Sequence, residues 1–336
     1  MNSRKTPVDL LFVIAPHSLL LDIAGPAEAF RLANLHLSER KQPPHFNLRF
    51  AGPVPNAITS VGVPLAELEP LPTNLGASTW VVVVGQPSVH AGQLSAAVQG
   101  IAQWLRRVVR PPLLAPDTRN RLVTVCSGSL IAARAGLVDG RQCTTHHDLI
   151  AMLRSLAPRT QVMENRVFVI DGPVASSAGV TAGIDLALHL IADECGEALA
   201  TAVAEDLVVY LRRSHNDPEL SPFLANRRHA HSAVHRVQDA ISAEPERDWT
   251  MPDMSQVGHV TERHLLRLFL RHAGVSPLQF LRTVRLERAK QLIERGTGIG
   301  RAAEVAGFRS ALHMRRAWLR QWGGTPRDAQ SSGIAG

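Results

Sequence analysis

Cysteine is scarce in this sequence and widely spaced. Cys126, Cys143 and Cys195 are its only cysteines, and their spacing fits neither a disulfide framework nor a zinc site. We therefore expect no disulfide-stapled scaffold, and three thiols suit a reducing cytoplasm. Tyrosine is scarcer still, with one residue beside 5 tryptophans. This content does not indicate an aromatic cage for a cation, so it leaves the ligand class open.

Long hydrophobic runs are also missing. No apolar run approaches the roughly 20 residues that a membrane-spanning helix needs. The N-terminal stretch is apolar like a secretory signal, but Pro16, His17 and Asp22 interrupt it and no small-residue cleavage site follows. We predict instead a first buried strand, Val8–Ala15, followed by a loop. The length of 336 residues is sufficient for two domains, each with its own core.

Lysine is the third scarce residue, and arginine carries most of the positive charge. The chain has 33 arginines and 3 lysines. Residues 211–336 contain 20 basic and 12 acidic residues, whereas residues 1–210 contain 16 and 17. A basic C-terminal third is typical of a domain that binds a polyanion. A solvated basic surface in an arginine-rich chain is the alternative.

The N-terminal part alternates strand-like and helix-like segments. The unbroken β-branched run Trp80–Val84 predicts a central buried strand. Gln93–Val109 has helical periodicity, and Pro111 and Pro112 should end that helix. Such alternation predicts a mainly parallel sheet sandwiched by helices. The remaining predicted strands are Phe46–Ala51, Leu122–Val125 and Val167–Asp171. The remaining predicted helices are Ile23–Leu37, Ser129–Ala135, His146–Leu156, Gly183–Glu194 and Glu197–Arg212.

Cys126 lies where a predicted strand changes into a helix, in the stretch RLVTVCSGSLIAARAG. A residue at such a turn is exposed at the C-terminal edge of a parallel sheet, as nucleophiles are in many α/β enzymes. The helix N-terminus would stabilise a thiolate, and its backbone N–H groups could form an oxyanion hole. The pattern therefore predicts either a nucleophile or an enzyme-like pocket that has taken another role.

The C-terminal third has a different pattern of predicted secondary structure. Ser214–His229 is polar, contains two prolines and lacks periodicity, which indicates a linker. No convincing strands follow it, and five or more helix-like segments predict an all-α domain. Two segments, Met251–Pro277 and Gly300–Pro326, share one plan 49 residues apart: a short helix, a glycine-containing turn and a second helix. Gly258 in the first segment matches Gly307 in the second.

The second helix of each segment has one apolar face at helical spacing, which should be buried. The predicted buried residues are Leu265, Leu268, Phe269, Met314, Ala317 and Trp318. The predicted outward residues are Arg263, Leu266, Arg267, Leu270, Ala311, Leu312, Arg315 and Arg316. Two such arginine-bearing helices could enter successive major grooves of DNA if they lie about 34 Å apart.

With these residues, the C-terminal part resembles the AraC-type DNA-binding domain over residues 231–331. Its most specific strings are Ala303–Phe308 and Arg282–Leu292. The resemblance implies seven helices, in which a linker helix at about Pro277–Ile293 joins two helix-turn-helix units. The DNA-facing positions that it implies are Arg263, Leu266, Arg267, Ala311, Leu312, Arg315 and Arg316.

This sequence departs from the AraC pattern at several positions. Ala302 stands where a larger aliphatic residue is usual, and Met314 stands where phenylalanine is usual. Leu266, Ala311 and Leu312 replace polar residues that often contact bases. Apolar groups can touch a thymine methyl but cannot form bidentate bonds to guanine or adenine. Specificity should therefore depend on the arginines and on DNA shape.

The N-terminal part resembles the ThiJ/PfpI-like branch of the class I glutamine amidotransferase-like fold, which implies a flavodoxin-like domain. The strings that carry this resemblance are Leu21–Glu28, Val125–Gly128, Ala135–Gly140, Thr144–His146 and Ser177–Ala187. Followed by an AraC-type domain, they make the chain similar to the GlxA-type two-domain transcriptional regulators. The implied domains are a ligand-sensing domain at 7–212, a linker at 213–230 and a DNA-binding domain at 231–331.

The resemblance also assigns roles near Cys126. Related enzymes place a carboxylate beside the cysteine, which matches Asp22, and many place a histidine after it, where this chain has Ser127. His146 belongs to the pocket region by resemblance. Because a cysteine needs a base or a lowered pKa to act as a nucleophile, the catalytic set is incomplete. The predicted ligand-binding residues are Asp22, Gly25, Cys126, Ser127, His146 and Thr181.

Three roles stay open for Cys126. It could line a ligand-binding pocket that retains the thiol, which we favour. It could serve a hydratase- or amidase-like enzyme together with Asp22, or a redox sensor that forms sulfenic acid. Cys143 and Cys195 are interpreted as buried small hydrophobes.

The glycine-rich segment Ala178–Gly183 has two interpretations. It could let backbone amides and Thr181 approach a ligand, or it could allow a helix to pack closely on the sheet. His229, His231 and His235 lack partner ligands and are interpreted as solvated linker histidines. His146 and His147 are interpreted as a pocket edge, so no metal and no cofactor is predicted.

Together these features predict a cytoplasmic transcriptional regulator rather than an enzyme. Its partners would be double-stranded promoter DNA and a small polar effector bound around Asp22, Cys126 and Thr181. The resemblance implies an amino acid or amine as effector, a homodimer, and RNA polymerase as a further candidate partner. Two rival classes stay open, which are an enzyme fused to a DNA-binding domain and an architectural nucleic-acid binder.

Overall fold

The computed structural model describes residues 6–87, 94–115, 118–209, 213, 231–294 and 296–327. The chain divides into two compact units, Met1–Glu219 and Leu220–Gly336. Apart from Arg213, the predicted linker at 213–230 lies outside the described residues. No described helix is long and apolar enough to cross a membrane.

The N-terminal unit is built on one seven-stranded sheet, with strand order β10-β11-β7-β6-β1-β2-β5. All neighbours in it are parallel except the antiparallel pair β10 and β11. Its strands are β1 Val8–Val13, β2 Phe46–Gly52, β5 Glu69–Pro70, β6 Thr79–Val83, β7 Arg121–Val125, β10 Phe168–Asp171 and β11 Val174–Ser177. Two small pairs lie apart from it, β3 Ala57–Ile58 with β4 Pro64–Leu65 and β8 Gln142–Cys143 with β9 Gln161–Val162.

Helices cover both faces of this sheet, so β6 is buried along its whole length as expected for an interior parallel strand. One apolar core joins the sheet to α1, α6 and α7, and a second joins the opposite face to α2, α4 and α5. The predicted mainly parallel, helix-sandwiched sheet is confirmed. The helices are α1 Leu20–Glu39, α2 Ala96–Trp104, α3 Arg110–Leu113, α4 Gly128–Arg134, α5 Ile150–Leu156, α6 Thr181–Cys195 and α7 Glu197–Asp206.

The predicted helix end at Pro111 and Pro112 is wrong. A π-helical turn, Leu105–Val109, follows α2 and leads directly into α3, which contains both prolines. The Arg110 N–H bonds to the Leu105 carbonyl in this wider turn. The helix then ends at Leu113, directly after the two prolines, so they shorten the helix without preventing the last turn.

Strand β11 was not among the predicted strands. Its sequence, VASS, has only one residue with strong strand preference. It forms because a turn at Gly172, with φ +60°, folds the chain back beside β10. All four residues are buried between β10 and β7, so tertiary pairing replaces the local signal that is missing.

The C-terminal unit is entirely helical in its described residues, as predicted. Leu286, Ala289 and Ile293 from the second half of α11 enter one core, and residues of its first half enter the other. Pro326 and Arg327, the last described residues, are again helical. The six complete helices described are α8 Ser232–Ala243, α9 Met251–Gly258, α10 Glu262–His272, α11 Pro277–Glu294, α12 Ile299–Val305 and α13 Ala311–Trp322.

The two helix-turn-helix turns differ by one residue in their left-handed position. In the second turn Gly307 has φ +84°, but in the first turn His259, with φ +54°, takes this conformation and Gly258 ends α9. A Cβ on Gly258 would lie 3.3 Å from the Val237 side chain. Gly258 therefore serves close packing between α8 and α9, although sequence alignment of the two units matches it to Gly307.

One loop fixes the two helix-turn-helix units to each other. Arg285 of the linker helix α11 donates from Nε to the Pro245 carbonyl at 2.7 Å and from Nη2 to the Arg247 carbonyl at 2.7 Å. A Cβ on Gly307 would lie 2.6 Å from Cα of Glu246. The loop before α9 thus contacts the turn between α12 and α13. Partial burial lowers the pKa of the Arg285 guanidinium.

Candidate functional sites

Cys126 directly follows β7 and has a left-handed conformation with φ +56°, and Ser127 occupies the N-cap position of α4. A non-glycine residue in this region of backbone space is strained by about 1–3 kcal/mol. The Cys126 N–H donates to the Ser177 carbonyl at 3.1 Å, and the Thr145 hydroxyl donates to the Cys126 carbonyl at 2.8 Å. The predicted strand-to-helix turn is present, and hydrogen bonds from two other segments hold it.

The Cys126 side chain is enclosed, with 2% of its surface exposed. Two glycines pack their backbones against it. A Cβ on Gly179 would lie 2.4 Å from the Cys126 Cβ and 2.9 Å from Sγ, and a Cβ on Gly85 would lie 2.9 Å from the Cys126 Cβ. No side chain fits at either glycine, so both backbones pack directly against the Cys126 side chain.

Asp22 is brought to the same place, as the resemblance implied. Its carboxylate is fully buried; Oδ2 accepts the Gly85 N–H at 3.2 Å and Oδ1 accepts the Val180 N–H at 2.9 Å. A Cβ on Gly85 would lie 2.4 Å from Asp22 Oδ2 and 2.9 Å from the Cys126 Cβ. One carboxylate therefore connects helix α1 to the two backbone segments that enclose the cysteine.

Ser127 occupies the position at which related enzymes often have histidine. Its hydroxyl is fully buried, accepts the Gln86 N–H at 2.7 Å and donates to the Gln86 carbonyl at 3.1 Å. It therefore fixes the loop after β6. A serine with both hydrogen-bonding functions used in this way supplies no base for the thiol of Cys126.

The Gln86 side chain is a feature of this site that the sequence analysis missed. It is 2% exposed, and its Nε2 donates to the Ser18 hydroxyl, whereas Oε1 has no hydrogen-bond partner among the described residues. A buried acceptor without a partner is unfavourable and is rare in proteins. A usable signal existed, because sites in parallel sheets form beyond the carboxyl ends of neighbouring strands, and Gly85 and Gln86 follow central strand β6.

Three further predicted ligand-binding residues have contacts outside the cluster of Asp22, Gln86 and Cys126. Gly25 lies where α1 crosses α6, and a Cβ there would be 2.8 Å from the Ile184 side chain. Thr181 begins α6 and accepts a hydrogen bond from Arg213. His146 precedes a 3-10 turn, and its Nδ1 accepts the Asp148 N–H at 3.4 Å.

The two interpretations of the segment 178–183 apply to different glycines. A Cβ on Gly183 would lie 3.0 Å from the Val125 side chain and 3.2 Å from that of Pro26, which supports close helix packing. Gly179 instead packs on Cys126, in the candidate site. The segment thus combines a structural glycine with one that covers the cysteine.

His146, His147 and Asp148 bring one ligand atom each within 4.8 Å of the others. The two imidazole rings lie 3.9 Å apart between centroids, and the Asp148 side chain is mostly exposed. Such a group can hold a metal ion, although exposed clusters of this composition are common without one. The sequence analysis interpreted these histidines as a pocket edge.

The second candidate site is the surface formed by α10 and α13. The predicted buried residues of both helices are buried, and Thr261 and Ser310 cap the helices by accepting the His264 and His313 N–H groups. Ala311 differs from the prediction in part, because it packs against the second core. The exposed predicted DNA-facing residues are Arg263, Leu266, Arg267, Leu312, Arg315 and Arg316.

The arginines on this surface are available for an anionic partner. Among the described residues no carboxylate forms an ion pair with Arg263, Arg315 or Arg316, and Arg267 contacts His264 of its own helix at 2.9 Å. The exposed Leu266 and Leu312 lie beside them, 40% and 58% exposed. Guanidinium groups bind phosphates and guanine edges, and leucine can contact a thymine methyl.

Family comparisons match separate parts of the chain. Residues 115–193 match the DJ-1/PfpI family, and residues 254–332 match a family described as a helix-turn-helix domain. The first match includes Cys126, Ser127, His146 and Thr181. The second includes both α10 and α13.

Three curated relatives are HTH-type transcriptional regulators. The chain is 32% identical over 210 residues to GbdR of Pseudomonas aeruginosa, which covers 62% of this chain and 57% of that protein. It is 28% identical over 322 residues to CdhR of Pseudomonas aeruginosa, covering 95% and 90%. It is 27% identical over 319 residues to GlxA of Rhizobium meliloti, covering 94% and 93%. The match thus spans little more than half of GbdR and nearly all of the other two.

A shorter similarity is to an enzyme, the isonitrile hydratase of Pseudomonas putida, with 36% identity over 85 residues that cover 24% of this chain and 35% of the enzyme. Among solved structures, an AraC family transcriptional regulator from Pseudomonas putida covers 60% of this chain and 100% of its own, with 20% identity and a TM-score of 0.48. This structural likeness is too distant to carry an argument about function.

Proposed function

We propose that the chain is a transcriptional regulator, because it is similar to the GlxA- and GbdR-like HTH-type regulators and matches both a DJ-1/PfpI model and a helix-turn-helix model. Its C-terminal unit binds promoter DNA, and its N-terminal unit senses a small molecule. Its proposed site of action is the cytoplasm. The observation that carries the proposal is the pair of exposed, arginine-bearing helices α10 and α13 on one helical unit.

DNA recognition is attributed to two similar but unequal helices. On α10, Arg263 and Arg267 project beside the exposed Leu266. On α13, Arg315 and Arg316 project beside the exposed Leu312. Arginine can bond two acceptors of guanine at once in the major groove. With leucines in place of amide side chains, adenine contacts of the bidentate kind are unavailable at those positions, and DNA shape contributes the remaining specificity.

Ligand sensing is attributed to the cluster of Asp22, Gln86 and Cys126. The Asp22 carboxylate accepts two backbone N–H groups from the segments that enclose Cys126. One end of the buried Gln86 amide lacks a partner among the described residues. This buried acceptor of Gln86 favours a ligand that donates hydrogen bonds, such as an amino acid or an amine.

An enzyme is the second candidate, because Cys126 has the strained strand-to-helix geometry of a nucleophile and a segment of the chain is similar to isonitrile hydratase. Two observations favour sensing instead. The Cys126 side chain is 2% exposed, and the hydroxyl of Ser127 is engaged by Gln86. The retained thiol is then part of the pocket wall.

The proposal is tested by titrating the protein with DNA from upstream of its own operon and with unrelated DNA of equal length, at physiological salt. Wild type and Cys126→Ser are compared. Selective binding by both supports a regulator in which the cysteine lines the pocket. Equal affinity for all DNA sequences contradicts the proposal and supports the alternative of an architectural nucleic-acid binder. A dimer, which the similarity to regulators suggests, is checked by sedimentation of the same samples.

A further inference from the structure

Arg213 is attached to the N-terminal unit by several hydrogen bonds just before the chain leaves it. Its backbone N–H donates to Asp185 Oδ1 at 3.0 Å, and its Nε and Nη2 donate to Asp185 Oδ2 at 2.9 and 2.7 Å. Nη2 also donates to the Thr181 hydroxyl at 2.9 Å. The Asp185 carboxylate is 5% exposed. Arg213 is therefore fixed to the first turn of α6, and the helical unit begins at Leu220.

The residues immediately before this turn cover the candidate ligand site. We call Gly179–Val180 the strap. Gly179 packs on Cys126 so closely that a Cβ would lie 2.9 Å from Sγ, and the Val180 N–H is bound by Asp22 at 2.9 Å. Val180 has φ +54° and ψ −120°, a strained conformation for a β-branched residue. Contacts on both sides hold the strap closed against this strain.

The Cys126 and Asp22 side chains are 2% and 0% exposed, so a ligand can touch them only if a covering segment moves, and the strap is one of the two segments that pack on both. The strap continues without a break into Thr181, which begins α6. Thr181 and Asp185 lie one turn apart at the start of α6 and share the guanidinium of Arg213. Movement of the strap therefore changes the position of one of the two groups that bind Arg213.

We propose that Arg213 couples the ligand site to the segment that leads to the DNA-binding unit. Displacement of the strap by a bound ligand disturbs the Thr181–Asp185–Arg213 contacts and changes how the start of that segment is held. This inference rests on the proposed function, since it assigns the route by which the sensing site acts. By thermodynamic linkage the effect is reciprocal, so loss of the Arg213 contacts favours the displaced strap.

The first experiment measures access to Cys126 by its rate of alkylation with iodoacetamide, read as peptide masses, in the full chain carrying Cys195→Ser. Arg213→Ala and Arg213→Lys are compared with the parent chain. Arg159→Ala is the matched control, because it removes an exposed arginine that pairs with Asp139 in the same unit. Cys143 reports global unfolding in the same molecules, because it is 0% exposed and burial raises the pKa of its thiol to about 11.

We expect Arg213→Ala to raise the alkylation rate of Cys126 by about tenfold or more, since local opening limits access to a buried group. Arg213→Lys, which keeps the charge but not the two-pronged contact, should give a smaller increase. Arg159→Ala should match the parent chain, and Cys143 should stay unmodified throughout. An unchanged rate in Arg213→Ala, or parallel alkylation of Cys143, overturns the link between Arg213 and the strap.

The second experiment uses the adduct on Cys126 as a permanent occupant of the site. DNA affinity is measured for the parent chain and for Arg213→Ala, each before and after alkylation. We expect alkylation to change the affinity of the parent chain severalfold and to leave Arg213→Ala unchanged. Equal responses in the two chains overturn the coupling. Absence of selective DNA binding in all samples contradicts the proposed function, while the alkylation rates still decide whether Arg213 holds the strap.

Discussion

The polar groups around Cys126 are buried and bonded to backbone, whereas the arginines of α10 and α13 are exposed. Asp22 binds two backbone N–H groups in the first region, and Arg315 and Arg316 project into solvent in the second. Polar side chains are thus placed differently in the two regions. If the proposed functions hold, a polar side chain in the buried site should contribute to stability as well as to ligand binding, whereas one on the exposed face should contribute to DNA binding alone.

This contrast predicts how substitutions should divide between stability and affinity. Changes in the buried site should reduce the free energy of unfolding, because each removes a contact that positions backbone. Changes on α10 and α13 should reduce DNA affinity and leave unfolding almost unaltered.

The largest effect is expected for Gly179→Ala. Its Cβ would lie 2.4 Å from the Cys126 Cβ at φ +97°, so both steric overlap and backbone strain oppose it, at a cost of more than about 3 kcal/mol of unfolding free energy. Gly62→Ala is the control, because φ is +85° there but nothing lies within 4 Å, and it should cost about 1 kcal/mol. Urea denaturation measures both. Equal losses would show that Gly179 is not sterically constrained.

The next effect is expected for Asp22→Ala. Removing the carboxylate leaves the Gly85 and Val180 N–H groups without their acceptor in a buried site, which should cost about 3 kcal/mol of unfolding free energy. Glu28→Ala, on the same helix, removes an exposed carboxylate that pairs with Arg31 and should cost about 0.5 kcal/mol. Thermal or urea unfolding compares the two. A loss for Asp22→Ala as small as that of the control would contradict its bridging role.

On the DNA face, Arg267→Ala and Arg316→Ala should each weaken selective DNA binding by about 1–3 kcal/mol if the arginine contacts a base. Their unfolding free energies should stay within about 0.5 kcal/mol of wild type. Arg159→Ala tests the effect of charge alone, since it removes one positive charge from the other unit. Unchanged DNA affinity in both recognition-helix variants would remove α10 and α13 as the DNA-contacting elements.

The smallest effect concerns an exposed carboxylate of the helical unit. Asp253 caps α9, and hydrogen bonds from the Thr250 hydroxyl and backbone hold the pKa of its carboxyl below the usual 3.8. A lowered folded-state pKa means that this contribution to stability is present above pH 3.8 and is lost as the pH falls through the folded value. Melting temperatures of wild type and Asp253→Asn should differ slightly at pH 7 and converge in acid. If the two melting temperatures differed by the same amount at every pH, the ionised Asp253 carboxylate would not be the source of the stabilisation.

The two regions were also unequally predictable from sequence. On α10 the spacing of Leu265, Leu268 and Phe269 was sufficient to identify the buried face, and all three are buried, because helical periodicity is a local property. The prediction failed where tertiary contacts override local preference. Pro111 and Pro112 lie within a helix that continues through a π-turn, and Val174–Ser177 forms a strand only because its neighbours pair with it.

The sequence by itself determined the alternation of strands and helices, the basic helical C-terminal part and the outward arginines, because each depends on residues within a few turns of one another. Only the tertiary structure decided what surrounds Cys126. Asp22 is 63 residues from Gly85 and 158 from Val180 along the chain, and no local pattern relates them. They meet because parallel strands bring their carboxyl ends to one edge of the sheet, where packing of α1 against α6 closes the site.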